Sequence, residues 1–196
     1  MIDHNRISME STKLYMLLLG CKPEGRFTEQ HDVFFGAANA LPELVPAIRL
    51  FWAGNHKIHI DAWRTVTEVD GYRIELVAKK EPVISNQTHR LFFLNLGGYR
   101  EQEFEEYHYK MLVVAKDKAE AIQHAKATAF YRHTGFKGAD SHIDDKYGVD
   151  VDDIYEIDDI LPAAVKEQYR ITITGHAGEK DAWHLGYTKL DSLVRT

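Results

Sequence analysis

Phe27-Thr28-Glu29-Gln30-His31-Asp32 returns seventy-seven residues later as Phe104-Glu105-Glu106-Tyr107-His108-Tyr109, each time behind an apolar run that ends in glycine. The runs are Leu14-Tyr15-Met16-Leu17-Leu18-Leu19-Gly20 and Leu91-Phe92-Phe93-Leu94-Asn95-Leu96-Gly97. Residues 14–52 lie on 91–129 without a gap, and ten positions are identical: Leu14/Leu91, Leu17/Leu94, Leu19/Leu96, Gly20/Gly97, Glu24/Glu101, Phe27/Phe104, Glu29/Glu106, His31/His108, Ala38/Ala115 and Glu43/Glu120. The polar matches carry the weight, because apolar strands resemble one another by default. An internal duplication is therefore the first expectation.

Each copy reads as the same run of elements. Leu14 to Leu19 is apolar on both pleat faces, as a strand covered on both sides must be, and His31 to Ala38 follows as a second strand. Leu41, Leu44, Val45, Ile48, Phe51 and Trp52 form one helical stripe. Pro42 suits its first turn, whereas Pro46 removes a donor and should kink it. Lys57 to Thr67 reads as a strand, Val69-Asp70-Gly71 as a hairpin turn, and Tyr72 to Val77 as the returning strand. In the second copy Asp117 and Glu120 make a capping-box-like pair ahead of a stripe of Ile122, Ala125, Ala129 and Phe130. His142-Ile143-Asp144 echoes His59-Ile60-Asp61, and Tyr169-Arg170-Ile171 echoes Tyr72-Arg73-Ile74.

The expected fold is α+β, two tandem ββαββ units forming an internal pseudo-dimer with their sheets facing. Residues 1–13 are a polar lead-in, 14–78 the first unit and 79–90 a linker. The second unit, 91–175, carries an acidic insertion at 144–161, read as a solvated edge that discourages aggregation. A C-terminal extension, 176–196, contributes one last strand, Trp183 to Leu190.

Composition limits the function classes. With 44 % hydrophobic residues the chain can build a core, and a net charge of −6 gives no electrostatic reason to bind nucleic acid. Cys21 is the only cysteine, so neither an internal disulfide nor a cysteine-based zinc site is available. Met1 to Lys13 lacks the apolar core of a signal peptide, and no run approaches the ~20 apolar residues of a membrane span. A cytoplasmic protein without a membrane partner is expected. Leu96-Gly97-Gly98 lacks the residues of a phosphate loop, and no Gly-x-Ser-x-Gly elbow occurs, so no organic cofactor is expected.

The candidate chemistry lies in the repeated polar sets. Glu29/His31 and His59/Asp61 are each two residues apart, so on extended chain each pair leaves one face of its strand. Glu106/His108 and His142/Asp144 do the same in the second copy. The simplest role is structural pairing of histidine with carboxylate. A second is a ligand or interaction surface that includes Trp63. A third is a divalent metal, since two histidines and two carboxylates suit zinc, manganese or iron, although the spacings match no compact metal motif. The preferred function is a non-enzymatic module binding a small ligand or a protein. The alternative is a metal-dependent hydrolase using the Glu/His/Asp sets with water as nucleophile.

Leu14 to Gly20, Glu29-Gln30-His31-Asp32-Val33-Phe34-Phe35, His59-Ile60-Asp61 and Asp70-Gly71-Tyr72 together resemble a bacterial family known as domain of unknown function 1543. The resemblance implies one or two domain copies per chain and covers residues 14–78 better than 91–175. In the second copy Asp32 becomes Tyr109 and no Asp-Gly-Tyr turn follows His142. The resemblance brings no activity or cofactor with it.

Overall fold

The structure is a computed structural model and describes residues 12–52, 54, 57–82, 87–99, 102–127, 149–175 and 178–194. It is mixed α+β and mostly strand, with the strands among the described residues in three sheets. None of the described helices is long and apolar enough to cross a membrane. The chain divides into two compact units, Met1–Thr67 with Lys180–Thr196, and Glu68–Glu179.

The first unit centres on β1 (Lys13–Cys21), which pairs antiparallel with β2 (Gln30–Ala38) on one side and β3 (His59–Thr65) on the other. Beyond β3 lies β10 (His184–Lys189), giving the order β10-β3-β1-β2. Tyr15, Leu17, Leu19 and Cys21 pack on one face with Phe34, Ile58 and Ile60, under Leu41, Leu44, Val45 and Ile48. Ile48 is fully buried, so truncating it to alanine should cost about 2–5 kcal/mol. The expected kink is a change of helix type. Leu41–Leu44 is a 3-10 turn and α1 runs from Val45 to Phe51, which puts Pro46 in a first turn where its missing N–H is harmless.

The C-terminal segment is fastened to this sheet by specific bonds. Asp181 accepts the Thr67 backbone N–H at 2.9 Å and the Thr67 hydroxyl at 2.5 Å. Arg49 of α1 meets Asp191 at 2.7 Å. Asp191 belongs to α5 (Leu190–Leu193), whose Leu190 enters the core.

The second unit repeats the central motif. β6 (Arg90–Tyr99) lies between β7 (Glu106–Ala115) and β8 (Val149–Glu156). Helix α2 (Lys118–Lys126) covers one face with Ala121 and Ala125, against Phe92, Leu94, Leu96 and Val113. Its capping box is as expected: Asp117 accepts from the Glu120 N–H at 2.9 Å, and Glu120 accepts from the Lys116 N–H at 2.7 Å. Ala129 and Phe130 lie outside the described residues. The acidic segment forms β8, an edge strand, and leads into two short helices, α3 (Ile157–Ile160) and α4 (Ala163–Gln168).

Contiguous ββαββ units are not what the strands form. Asp70 and Gly71, with φ of 55° and 80°, make the expected hairpin turn, but it joins β5 (Tyr72–Ala78) to the two-residue strand β4 (Glu68–Val69) and not to β3. The other edge of β5 pairs with β9 (Tyr169–Gly175), in register Ile74 to Ile173 and Leu76 to Ile171. The two segments that echo each other in sequence are thus partners in one sheet. The open edge of β3 takes β10 instead.

Candidate metal centre

Gly20 is where the polar set of the first unit meets. In the β1 ladder it stands opposite His31 of β2 and opposite His59 of β3, so three consecutive strands present His, Gly and His in a row. Neighbouring strands are ~4.8 Å apart, and only an absent side chain on the middle one leaves room for the His59 imidazole and the Asp61 carboxylate. A Cβ on Gly20 would land on His59 Nε2 and 2.6 Å from Asp61 Oδ2.

Asp61 arrives by a bulge. The β1–β3 register passes from Leu19–Ile60 to Leu18–Ala62, which leaves Asp61 as the extra residue on β3. Glu29 stands just ahead of β2, two residues from His31. All four expected residues therefore meet as histidine–carboxylate pairs, whereas the mutually close ligand atoms of a compact cluster are found, among the described residues, in the second unit. His59 Nε2 lies 3.0 Å from Glu29 Oε1 and 3.3 Å from Asp61 Oδ1. His31 Nε2 lies 3.3 Å from Asp61 Oδ2 and 3.8 Å from Glu29 Oε2.

Burial is uneven across the set. The His59 side chain is 5 % exposed, against 26 % for Asp61, 42 % for His31 and 44 % for Glu29, so the site has a closed floor and an open mouth. The Tyr187 ring lies against the His59 imidazole, centroids 4.4 Å apart. Despite the short distances, buried His59 Nε2 and Asp61 Oδ2 have no hydrogen-bond partner. Nitrogen and oxygens are close without being aimed at each other.

Cys21, next to Gly20, belongs to the core beneath the helix and not to this face. Burial, and then the nearby Glu29 charge, raise its thiol above the usual value of 9.0. Trp63 is not part of the site either. It packs against the helix-side core and stacks on His184, centroids 3.8 Å apart.

The second unit builds the same crossing with different residues. Gly97 of β6 faces His108 of β7 and Asp150 of β8. A bulge between Asn95 and Leu96 leaves Asp152 as the extra residue of β8. By register Asp150-Val151-Asp152 occupies the place of His59-Ile60-Asp61; His142 and Asp144 lie outside the described residues. Glu106, His108 and Asp152 offer ligand atoms within 4.8 Å of one another, with His108 Nε2 3.3 Å from Asp152 Oδ2. All three are exposed. The Tyr99 phenol donates to Glu106, and that bond raises its pKa above 10.0. A Cβ on Gly97 would collide with the Asp152 carboxylate.

Sequence reading missed Asp152, Tyr187 and the two glycines as parts of these sites. Gly20/Gly97 was visible as an identity, and Asp-Val-Asp carries the same polar-apolar-Asp alternation as His-Ile-Asp. Tyr187 had no signal, because its strand pairs across more than a hundred residues of chain.

Residues 26–76 match the family described as Domain of Unknown Function (DUF1543). That segment runs from just before β2 into β5 and contains all four residues of the first site. The chain is also similar to a solved structure, the crystal structure of a protein Il1583 from Idiomarina loihiensis, at 28 % identity and a TM-score of 0.62. The likeness covers 92 % of this chain and 98 % of that one. No curated protein matches.

Proposed function

We propose that the protein is a metal-dependent binding module whose first unit holds one divalent transition-metal ion on Glu29, His31, His59 and Asp61. The observation that carries this reading is His59 Nε2, buried, without a hydrogen-bond partner and surrounded by carboxylate oxygens. A buried polar group left unsatisfied costs about 1–3 kcal/mol. Two such atoms in one site, His59 Nε2 and Asp61 Oδ2, would both be satisfied by a single cation.

Distances support the same reading. Ligand atoms about 2.0–2.1 Å from a tetrahedral ion lie about 3.3 Å from one another. Each imidazole has an oxygen of both carboxylates in range, His59 at 3.0 and 3.3 Å and His31 at 3.8 and 3.3 Å, the two rings using opposite oxygens of each carboxylate. Two imidazoles with two carboxylates suit zinc, manganese or ferrous iron, and the absence of thiolate disfavours cuprous copper. Four protein ligands close a tetrahedral shell, which favours holding the ion over activating water and so favours binding over hydrolysis.

The test is elemental analysis of the full chain purified without chelator, with calorimetric titration of zinc and manganese into the chelated protein. One ion per chain at high affinity, lost in His59→Ala, is expected. Less than about a tenth of an equivalent, with no heat on titration, would end the metal reading.

A further inference from the structure

A cavity of about 580 Å³ in the first unit is lined by Arg49, Gly54, Lys57, Ile58, Tyr187, Lys189, Leu190 and Asp191. That volume lies within the ~300–1,000 Å³ range of small-molecule sites. Its charge runs against that of the chain, which is net −6. Among the described lining residues three cations stand against one carboxylate, leaving two positive charges, and the carboxylate is already engaged, since Asp191 meets Arg49 at 2.7 Å. Lys57 and Lys189 have no ion-pair partner among the described residues. Like charges on one cavity repel unless an anion offsets them.

Two other features qualify the anion. Ile58 and Leu190 on the lining belong to the buried core and offer apolar surface. Tyr187, 62 % exposed, has its ring available as a wall. The same ring rests on His59, so the cavity and the metal centre share a residue.

We infer that this cavity binds a small organic phosphate monoester, its dianionic phosphate between Lys57 and Lys189 and its planar body against Tyr187. A phosphate monoester, whose second pKa is about 6, carries close to two negative charges at about pH 8, which balances the two uncompensated cations; a carboxylate offsets only one. Lysine ammonium groups bind phosphate as point charges, and a flat organic group adds contact with the tyrosine face. The inference deepens the binding-module reading by naming the ligand's chemistry, and it rests on the metal only in making that ligand a neighbour of the ion.

The experiment is calorimetry at pH 8 on the full chain in chelator, with phenyl phosphate, inorganic phosphate and benzoate as probes. Phenyl phosphate should bind, and benzoate about tenfold more weakly or not at all. Lys57→Ala/Lys189→Ala should weaken phenyl phosphate about tenfold or more. Both lysines are exposed, and an unchanged melting temperature would certify the fold of the double variant. Tyr187→Ala should weaken phenyl phosphate and leave inorganic phosphate as it was. No heat with phenyl phosphate, equal binding of benzoate, or an unaltered double variant would each overturn the proposal. Because chelator is present, failure here leaves the metal reading standing, and absence of metal binding with phenyl phosphate still bound would sink the metal reading alone.

Discussion

The two glycine crossings share a backbone plan and differ in what they bury. At Gly20 the flanking residues are His31 and His59, with Asp61 on the bulge. At Gly97 they are His108 and Asp150, with Asp152 on the bulge. The first set closes over a buried histidine, while Glu106, His108 and Asp152 all remain exposed. The backbone thus brings a bulged aspartate over a glycine in both units, and the buried imidazole of the first is what distinguishes the two. Exposed carboxylates are satisfied by water, so their proximity is inexpensive and carries little information.

The largest expected effect breaks the comparison at this histidine. His59→Ala should reduce zinc affinity by about a hundredfold or more, since it removes a ligand from a four-ligand shell. His108→Ala should leave that affinity within about twofold, because His108 is not among the four ligands of that site. Titration of both variants in parallel checks this, and equal losses would show that the two units do not differ as their burial implies.

The glycines come next. Gly20→Ala forces a methyl against His59 and Asp61 at once, and the buried imidazole has little room to move. The loss expected is about tenfold or more in zinc affinity, with a stability cost of about 1–3 kcal/mol for overpacking. Gly97→Ala meets the exposed Asp152 carboxylate, which can swing into solvent, so a smaller destabilisation is expected. Chemical denaturation of the two variants ranks them, and a larger cost at Gly97 would reverse the comparison.

Metal addition should stabilise through the first site. Zinc at a hundred times its dissociation constant contributes about 2.7 kcal/mol, a rise of roughly 5–10 °C in Tm for a chain of this size. Differential scanning calorimetry should show that rise kept in Asp152→Asn and abolished in Asp61→Asn. A rise that survives Asp61→Asn would move the ion elsewhere.

The smallest effect concerns the residue beside each glycine, Cys21 in one unit and Gly98 in the other. Burial raises the Cys21 thiol above 9.0. A folded value above the unfolded one contributes stability in full below the unfolded value, and that contribution is lost as pH rises through the folded one. Stability from this group is therefore constant at neutral pH and falls in the alkaline range. Alkylation at pH 8 should be about tenfold or more slower in the native protein than in urea; equal rates would place the thiol outside the core.

Much of this was present in the sequence as local pattern. The apolar strands, the capping box at Asp117 and the hairpin turn at Asp70-Gly71 depend on neighbours a few residues away, and each forms where its residues predict. Glu29, His31, His59 and Asp61 were legible as two pairs, because a two-residue spacing on extended chain sends both side chains to one face. Their union over Gly20 was not legible. It depends on which strands flank β1, in what register, and on the bulge that sets Asp61 free.

The same cause explains the differences. Letter matching selected His142-Ile143-Asp144 as the counterpart of His59-Ile60-Asp61, whereas the ladder places Asp150-Val151-Asp152 against Gly97. The sequence echo between Tyr72-Arg73-Ile74 and Tyr169-Arg170-Ile171 suggested equivalent positions in separate units, and the fold makes the two segments partners in one sheet. Tyr187 reaches His59 only because β10 closes the edge of β3. By itself the sequence determined most of the local elements and the pairing of Glu29 with His31 and of His59 with Asp61 along their strands, since propensity, capping and alternation act over short range. Only the tertiary structure decided strand partners, register and which imidazole is buried, because hydrogen bonds between strands join residues whose separation along the chain carries no local signal.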